Sequence, residues 1–93
     1  MITKEEYIIL KSFDDDLKDR YIVRDNNGEL GIFNEKPYKH KLGFWGLSDY
    51  DHISDFYYFH NIFKTIRYED EEPKKIIDYI REYEQWQNKI EKK

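Results

Sequence analysis

The chain has 93 residues, a net charge of −4 and no cysteine, which rules out disulfides and thiolate metal sites and disfavours sequence-independent binding to phosphate backbones, although a net value does not exclude a local basic face. Charged and hydrophobic fractions are equal at 39%, a balance that leans toward disorder, but 18% of the residues are aromatic and each such ring buries roughly 150–250 Å². A single domain over residues 1–93 is expected, built on a small aromatic-rich core.

In chain order, "MITKEEYIIL" has neither the apolar run of a signal peptide nor that of a membrane span, so a cytoplasmic protein is expected. Thr3 and Glu6 have the spacing of a capping box, and Ile2 and Tyr7 that of a hydrophobic staple, so a helix is predicted from Lys4. Tyr7, Leu10, Phe13 and Leu17 continue its apolar stripe, and Asp14, Asp15 and Asp16 fall at the end where the helix dipole disfavours carboxylates. Fraying is expected there. "RYIVRDNNGELGIFN" predicts strands at about 20–25 and 29–34 around a tight Asn27-Gly28 turn with positive φ angles. A polar loop with Lys36, Pro37, Lys39, His40 and Lys41 follows, and "LGFWGL" reads as a third strand. Phe56, Phe59 and Phe63 have helical spacing, whereas Phe63 to Tyr68 alternate as a fourth strand would. From Pro73, Ile76, Ile80, Tyr83 and Ile90, flanked by Ile77, Tyr79 and Trp86, form the stripe of a C-terminal helix. The expected fold is α+β: a small antiparallel sheet of three to four strands with an N-terminal and a C-terminal helix.

Chemistry-bearing patterns are sparse. None of Ser12, Ser48 and Ser54 sits in a Gly-x-Ser-x-Gly elbow, and the glycines form no phosphate-cradling motif, so no enzymatic activity, catalytic residue or cofactor is expected. Asp49, Asp51, His52 and His60 are the one grouping with the look of metal ligands, but their spacing suits turns better, and no metal is expected. Two patterns favour binding. Glu69, Asp70, Glu71 and Glu72 precede Pro73, where one or two could complement the start of the last helix; the surplus faces water or a partner. Tyr57, Tyr58, Tyr79, Tyr83 and Trp86 are residue types enriched at interfaces, which suggests a partner-binding face or a homodimer. The basic loop with Tyr38, followed by Phe44 and Trp45, has the mixture that single-stranded nucleic-acid binders use, but the net charge disfavours nucleic acid as a partner.

Three stretches, "ITKEEYIILKSFDD", "YIVRDNNGELGIFNEKPYK" and "FHNIFKTIRYEDEEPKKI", together resemble a group of small uncharacterised proteins encoded by phages and prophages of low-GC Gram-positive bacteria. The resemblance spans roughly residues 2–82; its most recognisable segment is similar to F-x-x-I-R-Y-E-D-E-E-P, with Tyr68 standing where many relatives are expected to have tryptophan. It implies a non-enzymatic protein in the host cytoplasm that inhibits or redirects a bacterial host protein, such as a nucleic-acid-handling defence protein. Glu69, Asp70, Glu71 and Glu72 with Tyr79, Tyr83 and Trp86 are the expected contact, and no membrane is involved. The alternative is a small-ligand binder that captures a nucleotide signal as an oligomer, with Arg20, Lys36 and Lys39 on phosphates and Tyr38 and Trp45 stacking on bases.

Overall fold

A computed structural model describes residues 1–46, 52–55, 59 and 61–91, the side chains of 52–55 excepted. Helix α1 (Lys4–Lys11) opens as expected: Thr3 accepts from the Glu6 amide and Glu6 from the Thr3 amide, so two otherwise unbonded donors are satisfied reciprocally. It ends at Ser12, and Asp14 starts a second helix, α2 (Asp15–Lys18), by accepting from the Leu17 amide at 2.8 Å. The acids expected to fray one helix therefore stand at the favourable end of another.

Strands β1 (Tyr21–Arg24) and β2 (Leu30–Phe33) form the expected hairpin, in register Tyr21↔Phe33 to Arg24↔Leu30. Its turn differs from the expected two-residue form. Among the described residues only Gly28 has positive φ there (92°), and the Asp25 amide donates to the Glu29 carbonyl across a three-residue loop. A two-stranded ribbon, β3 (Tyr38–Lys39) and β4 (Trp45–Gly46), repeats this geometry: Gly43 has φ 90° and the His40 amide donates to the Phe44 carbonyl. The two loops are stitched together, since the Asn26 amide donates to the Gly43 carbonyl and the Trp45 amide to the Asp25 carboxylate. The expected third strand thus shortens to Trp45–Gly46.

Strands β5 (His52–Asp55) and β6 (Lys74–Lys75) complete an antiparallel sheet of order β5-β2-β1-β6, and helix α3 (Ile76–Glu91) follows directly. Two expectations are corrected here. No strand forms over 61–68; the alternating segment runs as successive turns in which Phe63 and Ile66, three apart, both point inward and the Ile66 amide donates to the Phe63 carbonyl. Helix α3 begins at Ile76, because Lys74 and Lys75 extend as an edge strand. Phe56 lies outside the described residues.

Period-two alternation divides the sheet's two faces. Ile22, Leu30 and Ile32 pack with Leu10, Phe63, Ile66, Ile76 and Ile80 beneath the helices, and each such side chain contributes about 1.5–3 kcal/mol when fully buried. Val23 and Phe33, on the other face, pack with Trp45 of the ribbon and with Tyr68.

The turn segment is held by buried charge. The Arg24 guanidinium donates to the carbonyls of Ile66 (2.8 Å), Gly28 (2.7 Å), Ile62 (2.7 Å) and Phe63 (3.1 Å), and the buried Glu6 carboxylate accepts from the Phe63 amide. Phe63 itself lies in the left-handed region at φ 59°, a conformation that costs a side-chain-bearing residue about 1–3 kcal/mol and persists because both neighbours fix it.

Candidate functional site

The acidic run is not punctuation for α3. The amide of Lys75, which precedes the helix, donates to Asp78 at 2.9 Å, so the cap comes from inside the helix and the run stands beyond β6. Two of its members serve locally: Asp70 closes a turn by accepting from the Arg67 amide at 3.0 Å, and Glu69 lies 3.5 Å from the Arg67 side chain. Glu72 reaches Lys36 at 2.7 Å, and this hydrogen bond and charge raise the Lys36 pKa. Glu71 has no ion pair among the described residues.

Asp70, Glu71, Glu72 and Glu82 of α3 line an open groove of about 440 Å³ together with two cations, Lys74 at 3.6 Å and the N-terminal amine at 4.0 Å from the Glu82 carboxylate. Tyr79 also lines it, with the Lys74 ammonium 5.5 Å from the ring centroid. Burial, then the charges of Asp70, Glu82 and Asp78, push the Tyr79 hydroxyl well above the ordinary tyrosine range. With four carboxylates against Lys74 and the N-terminal amine the groove is negative on balance without being a chelating site, for no three candidate ligands converge on a metal position among the described residues. Helical spacing carries the surface onward: Glu82, Trp86 and Ile90 follow at four-residue intervals on one stripe, with Trp86 41% and Ile90 46% exposed. An acidic edge therefore runs into an aromatic and aliphatic one.

Of the residues expected there, Glu69, Asp70, Glu71, Glu72 and Trp86 are at the surface in this region, whereas Tyr79 and Tyr83 are corrected to core positions, each 5% exposed. Tyr83 stacks on Tyr7 of α1 at 4.5 Å, and Tyr7 donates to Glu84 at 2.7 Å. A helix-wide stripe contains no sign of which residues a second helix will cover; α1 covers the N-terminal part and leaves Trp86 and Ile90 out. Glu82 was not anticipated, and only its spacing from Trp86 could have signalled it. Tyr57, Tyr58, Asp49, Asp51 and His60 lie outside the described residues, as does the His52 side chain.

The five residues of the alternative ligand site do not gather. Adjacent strand positions send Tyr38 and Lys39 to opposite faces; Lys39 lies 5.2 Å from the Trp45 ring and 4.9 Å from the Tyr68 ring, while Trp45 is buried. Lys36 pairs at the surface with Glu72, and Arg20 stands just before β1, where its backbone carbonyl accepts from the Ile76 amide. Lys36 does join Lys18, Lys75 and Arg81 around another groove, of about 550 Å³, lined also by Tyr21, Asp15, Asp19 and Asp78.

Fold and surface together define a small α+β domain with two-sided sheet packing and open, charged grooves. Among the described residues no helix is long and apolar enough to cross a membrane. Comparison with protein families, curated proteins and solved structures finds no match for the chain.

Proposed function

We propose that the chain is a non-enzymatic, phage-type protein that binds a bacterial host protein in the host cytoplasm and inhibits or redirects it. The observation that carries this is the strip from Asp70 and Glu71, which have no ion pair among the described residues, across the groove to Glu82, paired with Lys74 and the N-terminal amine, and on to the exposed Trp86 and Ile90. Such a strip fits a partner whose surface is basic and partly apolar, a description that includes the nucleic-acid channels of defence proteins. Charge complementarity of this kind speeds association and weakens as salt is raised.

The test is recovery of partners from a low-GC Gram-positive host lysate, with native mass spectrometry of the complexes, for the unaltered chain and for the variant Glu71→Gln, Glu82→Gln, Trp86→Ala. Asp15→Asn, on α2, serves as the control. A stoichiometric host protein retained by the control and lost with the triple variant is the expected result. Equal recovery by all three forms would remove the strip from consideration. The alternative, capture of a nucleotide signal by an oligomer, draws support only from the four cations around the Tyr21 groove. A monomeric mass with no thermal shift across a panel of cyclic nucleotides counts against it.

A further inference from the structure

The ribbon presents a second, chemically opposite surface. Residues 36–46 contain three lysines and no acid, so with a chain total of −4 the remainder stands at −7. The net value that argues against nucleic acid is therefore an average that includes a locally basic segment. On one face of the ribbon, Trp45 and Lys39 turn toward the sheet cluster and Tyr68. On the other, Tyr38, His40 and Phe44 form a row, with ring centroids 4.9 Å apart from Tyr38 to His40 and 4.5 Å from His40 to Phe44. Tyr38 is 48% and Phe44 37% exposed.

Gly46 makes this row feasible. A Cβ there would lie 3.2 Å from the His40 ring, closer than such atoms usually come, and in ordinary contact with Phe44 at 3.5 Å, so a side chain would crowd His40. Lys36 precedes the row, and the exposed Lys41 stands at the hairpin tip beside Leu42. Lys36 is tied to Glu72, but both are solvent-exposed, and an ion pair of that kind is worth little and exchanges readily.

We infer that this face binds single-stranded nucleic acid without sequence preference, one or two bases stacking on Tyr38 and Phe44 while Lys36 and Lys41 take the flanking phosphates. The chemistry is that of stacking platforms in general: every base has a π-face, and a cation at each end follows the backbone. Loops that share their geometry with a neighbouring hairpin, and are bonded to it through Asn26 and Gly43, hold the platform in place.

The experiment is fluorescence anisotropy with a labelled oligodeoxythymidine of about eight nucleotides, within the usual site size for such surfaces. Tyr38→Ala and Phe44→Ala should each weaken binding about tenfold or more, and two phosphate contacts should give a slope of about −1.4 in the logarithm of affinity against that of salt. Lys41→Gln should roughly halve that slope, and Trp86→Ala, on the acidic strip, should change nothing. Unaltered urea midpoints for the ring variants show that they remain folded. Independently of any substitution, the His40 ring protons should shift in NMR spectra as oligonucleotide is added.

Absence of binding up to about 1 mM, beyond the usual non-specific range, overturns the inference. So does equal affinity for a duplex, or ring variants that bind like the parent. A solution dimer dissolved by Lys41→Glu would assign the face to a second copy and overturn it as well. Apart from the Trp86→Ala control, the residues substituted here are not those that test the host-protein strip, so either proposal can fail alone.

Discussion

Replacing Arg24 by methionine keeps most of the side chain's hydrocarbon but removes the donors that hold the carbonyls of Gly28, Ile62, Phe63 and Ile66. Hydrogen bonds to a charged group contribute about 1.5–3 kcal/mol each, but burying the guanidinium opposes this, as the depression of its pKa by desolvation indicates. The nearby Glu6 charge acts in the other direction, so the substitution also deprives a buried carboxylate of a favourable neighbour. Removing one partner from such an arrangement costs about 3–5 kcal/mol, a large part of the roughly 5–15 kcal/mol that stabilises a domain. With a urea dependence of about 1.5 kcal/mol per molar, the unfolding midpoint should fall by about 2–3 M. Arg24→Lys, which keeps a charge but not the fork, should recover only part of this loss. Amide exchange adds a local readout: protection at Ile66, whose amide bonds to the Phe63 carbonyl, should drop more than at Ile80 in mid-helix. A loss below about 1 kcal/mol for Arg24→Met would refute the clamp, because the carbonyls would then have found water at no net cost.

Gly28→Ala should destabilise by about 1–2 kcal/mol through the backbone alone, since a Cβ there meets nothing within 4 Å while φ is +92°; Gly28→Asn, which tolerates that region better, should lose less in the same urea titration. Thr3→Ala, by removing half of the capping box, should cost about 1 kcal/mol in thermal or urea unfolding. Glu84 accepts from Lys11 and Tyr7, which lowers its pKa, so its stabilising contribution is complete above the usual carboxylate range near 4.5 and is lost as pH falls through the lower folded value. Both partners of the Lys11–Glu84 pair are more than a third exposed, so solvent screening keeps the effect small. Urea midpoints of the parent and Glu84→Gln should accordingly converge as pH falls below the usual carboxylate range.

Local chemistry was legible in the sequence wherever a signal is complete within a few residues. Thr3 with Glu6 specified a helix start, and Asn27-Gly28 a hairpin, although the choice between a two- and a three-residue loop depends on which residue takes positive φ, and only Gly28 does among the described residues of that loop. The run Asp14–Asp16 was misread because its meaning reverses when the helix stops at Ser12 and another starts at Asp15. The alternation from Phe63 to Tyr68 imitates a strand because turns also place residues inward at short intervals. What fixes those turns is Arg24, about forty residues earlier, and no local pattern records a contact of that range. The candidate strip was half legible: its acids stand together in the chain, whereas Glu82 joins them only through the packing of α3.

The acidic segment is fastened at both ends. Before it, the carbonyls of Ile62, Phe63 and Ile66 are gripped by Arg24; after it, Lys74 and Lys75 are paired to Ile22 and Tyr21 in the sheet. Between these anchors the Arg67–Asp70 turn is bonded in both directions. Ordering a free residue costs about 1–2 kcal/mol of backbone entropy, and a loose acidic loop would incur that loss each time it met a partner. Here the loss is incurred once, during folding, so the strip is preorganised, and strengthening its anchors should lengthen the lifetime of a complex without adding a contact.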